Sequence, residues 1–226
     1  IKEDFGVAID TLGMIAGGAV SDYVFSAVPM FIFLGLITSD ADLGRDSLRV
    51  VRWLTFKLSG GLGIAVVLAN ALFAAMTGIS IASAAIFSKI AYPYMVEEGY
   101  SKRFSLGLIA GSSILGMLIP PSILLIIYGV IAEVSINKLF LAAVIPGLIL
   151  VTLLILKVQI LAYFKLIQHA VVKEDNKRPD KNVFKGFYAV LMILLAVLGG
   201  IYSGVFTPTE AGATGTAIAI IISIFL

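Results

Sequence analysis

Six hydroxyl side chains fall in two short clusters of an otherwise apolar chain: Thr77, Ser80 and Ser83 in "MTGISIASAA", and Ser112, Ser113 and Ser122 in "GSSILGMLIPPSILLIIYG". Hydroxyl oxygens beside Gly78 and Gly116, where the backbone can turn its carbonyls inward, suit a hard monovalent cation such as sodium, held by neutral oxygens without Asp or Glu. Pro120 and Pro121 strengthen that reading. Proline donates no N–H and obstructs the preceding turn, so carbonyls near Leu115 to Met117 are expected to lose their intrahelical partners. Other chemistries lack their groups. The chain has no cysteine, and its one histidine, His169, stands among polar residues as a solvated loop side chain. Without a nucleophile and base, a metal triad or an HExxH-like set inside the apolar segments, the protein is not expected to be an enzyme, nor to hold a metal beyond the sodium ion or an organic cofactor.

These clusters sit in a membrane protein. Of 226 residues, 60% are hydrophobic and 13% charged, and the mean hydropathy is +1.07; a soluble domain is roughly half apolar and about a quarter charged. A net charge of +2 gives no reason to expect a nucleic-acid partner. Ile1 is not an initiator methionine and "TGTAIAIIISIFL" stops without a polar flank, so the sequence reads as an internal piece of a longer chain.

The elements that must position the clusters follow from apolar runs. "VFSAVPMFIFLGLIT" (24–38) is a short span that upstream residues would extend. In "SDADLGRDSLRVVRWLTFKLSGG", Asp40 or Asp42 can cap a helix whose Leu43, Leu48, Val51, Leu54 and Leu58 recur near helical spacing against Arg45, Arg49, Arg52 and Lys57. That pattern predicts an amphipathic helix at the membrane interface, with Trp53 at headgroup level. From Gly61 to Met95 the run could cross as one tilted helix, but each half is short. The economical reading is a re-entrant hairpin turning at Thr77 to Ser80. Residues 104–132 then cross with the proline break, "LFLAAVIPGLILVTLLILKVQILAYF" crosses back, and the polar stretch "KLIQHAVVKEDNKRPDKNVFK" precedes the span "GFYAVLMILLAVLGGIYSGVF". The interfacial helix, "EEGYSKR" and the polar stretch carry most of the basic residues, and a hairpin puts all three on one side, the cytoplasmic one. Two breaks therefore meet the midplane, at Thr77 to Ser83 and at Ser112 to Ser122. Thr207, Pro208, Thr209 and Glu210 form "TPTE"; Glu210 is either a buried functional carboxylate or, the favoured reading, part of a helix start capped by Thr207.

The ordered motifs "AVPMFIFLG", "GISIASAA", "GYSKRFSLGLIAGSSILGMLIPPSILLIIYG", "SINKLFLAAVIPGLIL" and "GVFTPTEAGATG" resemble the large, DctM-like membrane (M) subunit of tripartite ATP-independent periplasmic (TRAP) transporters from about Val24 onward. The resemblance implies an all-α polytopic fold of elevator type, with this chain covering about the first inverted repeat. Residues 1–60 would be a scaffold helix and interfacial arm, 61–135 the transport-domain hairpin and broken helix, and 136–226 scaffold helices with a cytoplasmic loop at 165–185. It also implies a multi-pass protein of a bacterial or archaeal inner membrane, sodium-coupled uptake of an organic acid, a small membrane (Q, DctQ-like) subunit and a soluble periplasmic binding (P) protein. Thr77, Gly78, Ile79, Ser80 and Ser83 match the family's hairpin tip, and Ser112, Ser113, Gly116, Pro120, Pro121 and Ser122 its broken helix, with sodium between them. The chain departs from the usual pattern at Ile79, where a second serine is common, and at Met117, where proline is frequent. The rival reading is a hairpin-containing carboxylate carrier or ion antiporter that works without a binding protein.

Overall fold

The computed structural model describes residues 6–7, 9–14, 17, 23–167 and 178–225. His169, the middle of the polar stretch and much of the segment upstream of the first span lie outside the described residues. Among the described residues, a 3-10 turn at Tyr23–Ser26 is followed by ten helices: α1 (Ala27–Asp40), α2 (Leu43–Thr55), α3 (Gly61–Thr77), α4 (Ser80–Glu97), α5 (Lys102–Ser113), α6 (Leu115–Leu118), α7 (Ile123–Ile131), α8 (Ile136–Tyr163), α9 (Lys181–Tyr202) and α10 (Pro208–Phe225). The described residues contain no strand. α8, α9 and α10 are each long and apolar enough to cross a membrane. α5–α6 with α7, bent by 43°, and α1 with α2, bent by 65°, are broken pairs.

α3 is the centre of the bundle. Almost all of its residues are buried, because alanine and glycine let neighbouring backbones approach closely. A Cβ on Gly63 would lie 2.9 Å from Val158 Cγ1 of α8. α10 packs on α1 and α9 by the same device, with Gly212 against Met30 and Phe31 and Gly215 against Val197 and Leu34. Across that contact Thr216 Oγ1 donates to the Met30 carbonyl at 2.9 Å.

α2 departs from expectation in two respects. Leu43, Leu48 and Val51 are buried as the spacing requires, but their face packs on α3 and α9, where Trp53 meets Phe184 edge-on at 5.9 Å. The amphipathic pattern is thus largely satisfied by protein, while Leu54 (61% exposed) and Leu58 (46%) stay outside that contact. Asp42 occupies the N-cap position in a left-handed conformation, and its carboxylate caps nothing and faces Arg45 at 3.4 Å. Arg52 pairs with Glu98 and lies 5.7 Å above the Tyr94 ring, tying α2 to the far end of α4.

Several charged side chains meet at one end of the bundle. Arg52, Lys57, Glu98, Tyr100 and Lys165 line one cavity of about 730 Å³, which brings the start of the polar stretch, the "EEGY" turn and the end of α2 to one end. Burial there pushes the Tyr100 phenol up to about 12. The 28 residues of α8 rise about 42 Å, so the Ala132–Ser135 turn is at the opposite end. We expect cysteines replacing Lys102 and Lys181 to react with an impermeant thiol reagent from the cytoplasmic face alone, and one replacing Val134 from the other face alone. Labelling of Lys102 and Lys181 positions from opposite faces would remove the hairpin topology.

Candidate functional site

Two helices end and two begin where the breaks meet. At the first, α3 stops at Thr77 because Gly78 takes a φ of 66°, a left-handed backbone that costs a side-chain-bearing residue energy. Ile79 is extended and α4 starts at Ser80. At the second, Ile119 is extended before Pro120, as sterics with the following proline ring require. Ser122 then caps α7: its Oγ accepts the Leu125 N–H at 3.4 Å and donates to the Met117 carbonyl at 2.8 Å. The Ile119 N–H holds the Leu115 carbonyl at 2.7 Å. The expectation of unpartnered carbonyls from Leu115 to Met117 is therefore corrected for both ends of that stretch: the Leu115 carbonyl keeps its ordinary helical partner four residues on, because Ile119 is not a proline, and at Met117 a serine hydroxyl replaces the N–H that Pro121 lacks. Helix is lost at Ile114 and again over Ile119–Ser122, so most of the stretch between Ser112 and Ser122 stays helical.

The two breaks touch through backbone. The Ile123 N–H donates to the Gly78 carbonyl at 3.3 Å. A Cβ on Gly78 would come 2.8 Å from the Pro121 carbonyl oxygen, and one on Gly116 would come 3.2 Å from both the Ile79 carbonyl carbon and the Ser80 nitrogen. Behind the tip, Gly35 of α1 closes on Thr77, with 3.2 Å from its would-be Cβ to Thr77 Cγ2. Thr77, Ser80 and Ser122 are buried there. Thr77, Gly78, Ile79, Ser80, Gly116, Pro121 and Ser122 thus form one contact, with Pro120 next in the chain. At position 79 it is the backbone that faces Gly116, so the isoleucine in place of a serine leaves that contact intact.

Ser83, Ser112 and Ser113 gather in a second cluster, around a residue that the sequence pattern did not single out. Asn70 of α3, 0% exposed, donates the two hydrogens of Nδ2 toward Ser112 Oγ at 2.7 Å and Ser113 Oγ at 3.0 Å, with the Ile109 carbonyl at 3.3 Å sharing one of them. Its Oδ1 accepts from the Ser83 hydroxyl. The signal for it is local: it is the one amide in "LGIAVVLANALFAAM", where an unsatisfied buried polar group costs about 1–3 kcal/mol.

The electrostatics come from helix ends. α3 and α6 direct carbonyl ends, partly negative, toward the breaks, while α4 and α7 direct N–H ends, partly positive. Among the described residues no group of three or more His, Cys, Asp or Glu side chains could hold a metal ion. A cation here would be held by neutral oxygens. Glu210 is elsewhere and exposed: its Oε2 accepts from the Thr207 N–H (2.8 Å) and hydroxyl (2.9 Å), and its own N–H donates to Thr207 Oγ1 at 3.3 Å. This reciprocal capping box starts α10 with Pro208 as its first residue, and Thr209 Oγ1 donates to the Tyr23 carbonyl at 3.4 Å.

Comparison with known proteins matches residues 7–226 to the DctM component of tripartite ATP-independent periplasmic transporters. A C4-dicarboxylate TRAP transporter large permease protein of Pseudomonas aeruginosa is 35% identical over 90% of this chain and 47% of its own length. A sialic acid TRAP transporter large permease protein of Vibrio cholerae is 32% identical over 90% of this chain and 47% of its own. An isethionate TRAP transporter permease protein of Oleidesulfovibrio alaskensis is 33% identical over 96% of this chain and 34% of its own. The chain spans about half the length of the large permeases it matches.

Proposed function

Because this chain belongs to the DctM-component family of tripartite ATP-independent periplasmic transporters, we propose that it is part of the large permease subunit of a sodium-coupled importer of an organic acid. The observation that carries the reading is the backbone contact between the two breaks, where the Gly78 carbonyl meets the Ile123 N–H and Gly116 lies under Ile79 and Ser80. Two carbonyl-bearing helix ends beside buried hydroxyls favour a monovalent cation. Two N–H-bearing helix ends favour the carboxylate or sulfonate of an anion without any Arg or Lys in the breaks. Cation and anion then stabilise each other across the contact. The hairpin and broken helix move together as the transport domain of an elevator, α1, α8, α9 and α10 belong to the scaffold, and a second, inverted repeat in the remainder of the subunit completes the site. A small membrane subunit and a periplasmic binding protein act with it at the inner membrane.

The test is uptake by the full-length subunits in proteoliposomes with the cognate binding protein and a panel of dicarboxylates, sialic acids and sulfonates, with and without a sodium gradient. Uptake that needs both sodium and the binding protein supports the reading, and uptake indifferent to the binding protein favours a simple carboxylate carrier. In the same assay Ser80→Ala is expected to raise the sodium concentration for half-maximal uptake several-fold, since one ligand to a charged group, at about 1.5–3 kcal/mol, is partly replaced by water. An unchanged sodium curve would remove Ser80 from the site.

A further inference from the structure

We propose that Asn70 is the positioning residue that holds the two breaks in register, acting on the cation site through Ser83, Ser112 and Ser113 without touching the ion. One carboxamide bonds both arms of the hairpin to the broken helix: it stands on α3, accepts from Ser83 on α4 and donates to Ser112 and Ser113 at the end of α5. All four side chains are buried. A carboxamide is fitted to this place because it offers donors and an acceptor on one rigid plane. The Ser112 and Ser113 hydroxyls donate in turn to the Ile109 carbonyl at 3.2 and 2.7 Å, so Asn70 closes a network that has no slack.

The network lies upstream of the contact it governs. From Ser113 the chain passes one irregular residue, Ile114, and enters the turn that carries Gly116 beneath Ile79 and Ser80. On the other side, Ser83 is in the first turn of α4, directly after the tip. Moving Ser112 and Ser113 away from Ser83 therefore shifts Gly116 and Pro121 relative to Gly78. The tip and the break tolerate little displacement, because a single carbon added at Gly78 or at Gly116 would already press on the opposite backbone. A buried polar network with every member satisfied rigidifies what it joins, and one with a member removed does not.

This inference rests on the sodium reading above, and its test separates the two. Asn70→Leu keeps the side chain's size but removes every hydrogen bond, and Asn70→Ser retains one hydroxyl. In proteoliposomes Asn70→Leu is expected to raise the sodium concentration for half-maximal uptake about tenfold, about 1.4 kcal/mol, with the maximal rate at saturating sodium nearly kept; Asn70→Ser is expected to fall between it and wild type. A merely structural role would lower the maximal rate and leave the sodium curve in place. Spin labels on cysteines replacing Ile81 and Ile114, both exposed, in a subunit stripped of other cysteines, provide a readout independent of sodium. Their distance distribution is expected to be narrow in wild type and broad in Asn70→Leu. A wild-type sodium curve or a wild-type distribution in the inserted Asn70→Leu protein overturns the inference, as does loss of rate alone. A wild-type protein whose uptake ignores sodium overturns the coupling itself, and the spin-label result then decides the bridge on its own.

Discussion

Gly78→Val is expected to abolish uptake while leaving the subunit folded and inserted. Gly78 has a φ of 66°, a region where a β-branched residue is a genuine outlier, so valine would have to unwind the turn between α3 and α4. Space forbids it as well, because the first added carbon would come 2.8 Å from the Pro121 carbonyl oxygen and 3.3 Å from the Ile123 nitrogen. Both obstacles are backbone, and neither can rotate aside. The tip must lift off the break, which separates the carbonyl and N–H ends that the proposed site brings together. Gly78→Ala meets the same contact with a smaller strain and is expected to lose about tenfold in rate at subsaturating sodium, the equivalent of roughly 1.4 kcal/mol. Gly199→Ala, in α9 with nothing near the added carbon, is the control and is expected to transport normally. Normal uptake by Gly78→Val would mean that the contact between tip and break is dispensable.

Replacing Pro120 and Pro121 together by alanine is expected to have the second large effect. Alanine restores two N–H donors, which in a continuous helix bond four residues back, to the Gly116 and Met117 carbonyls. The Met117 carbonyl is now held by Ser122 Oγ, so Ser122 would lose its partner. The Ile123 N–H, now on the Gly78 carbonyl, would turn to Ile119. A single pair of substitutions thus withdraws carbonyls from the break and the one backbone bond that joins it to the hairpin. Sodium for half-maximal uptake is expected to rise more than tenfold, beyond the change from Ser80→Ala and beyond about 1.4 kcal/mol. Wild-type sodium dependence in a well-inserted double variant would make the break a hinge or a kink rather than an ion site.

Composition and local backbone chemistry account for much of what the sequence determined. Apolar content far above that of a soluble domain required a membrane, and the structure has helices of the length to span one. Glycine and paired prolines restrict the backbone at their own positions whatever surrounds them, so the interruptions at Gly78 and at Pro120–Pro121 were legible one residue at a time. The Thr207–Glu210 capping box was legible for the same reason, as both partners lie within one turn. Only tertiary structure decided which surfaces meet. Asn70 finds Ser112 and Ser113 across 42 and 43 residues of chain, and no periodicity marks a lone amide in an apolar run. The face of α2 was visible as amphipathic, but whether lipid or protein covers an apolar stripe depends on where α3 and α9 lie, because hydrophobic burial has no direction of its own. The meeting of Gly78 and Gly116 with the opposite backbone belongs to the same class: a glycine marks where a chain can approach closely, and only the packed bundle determines what approaches it.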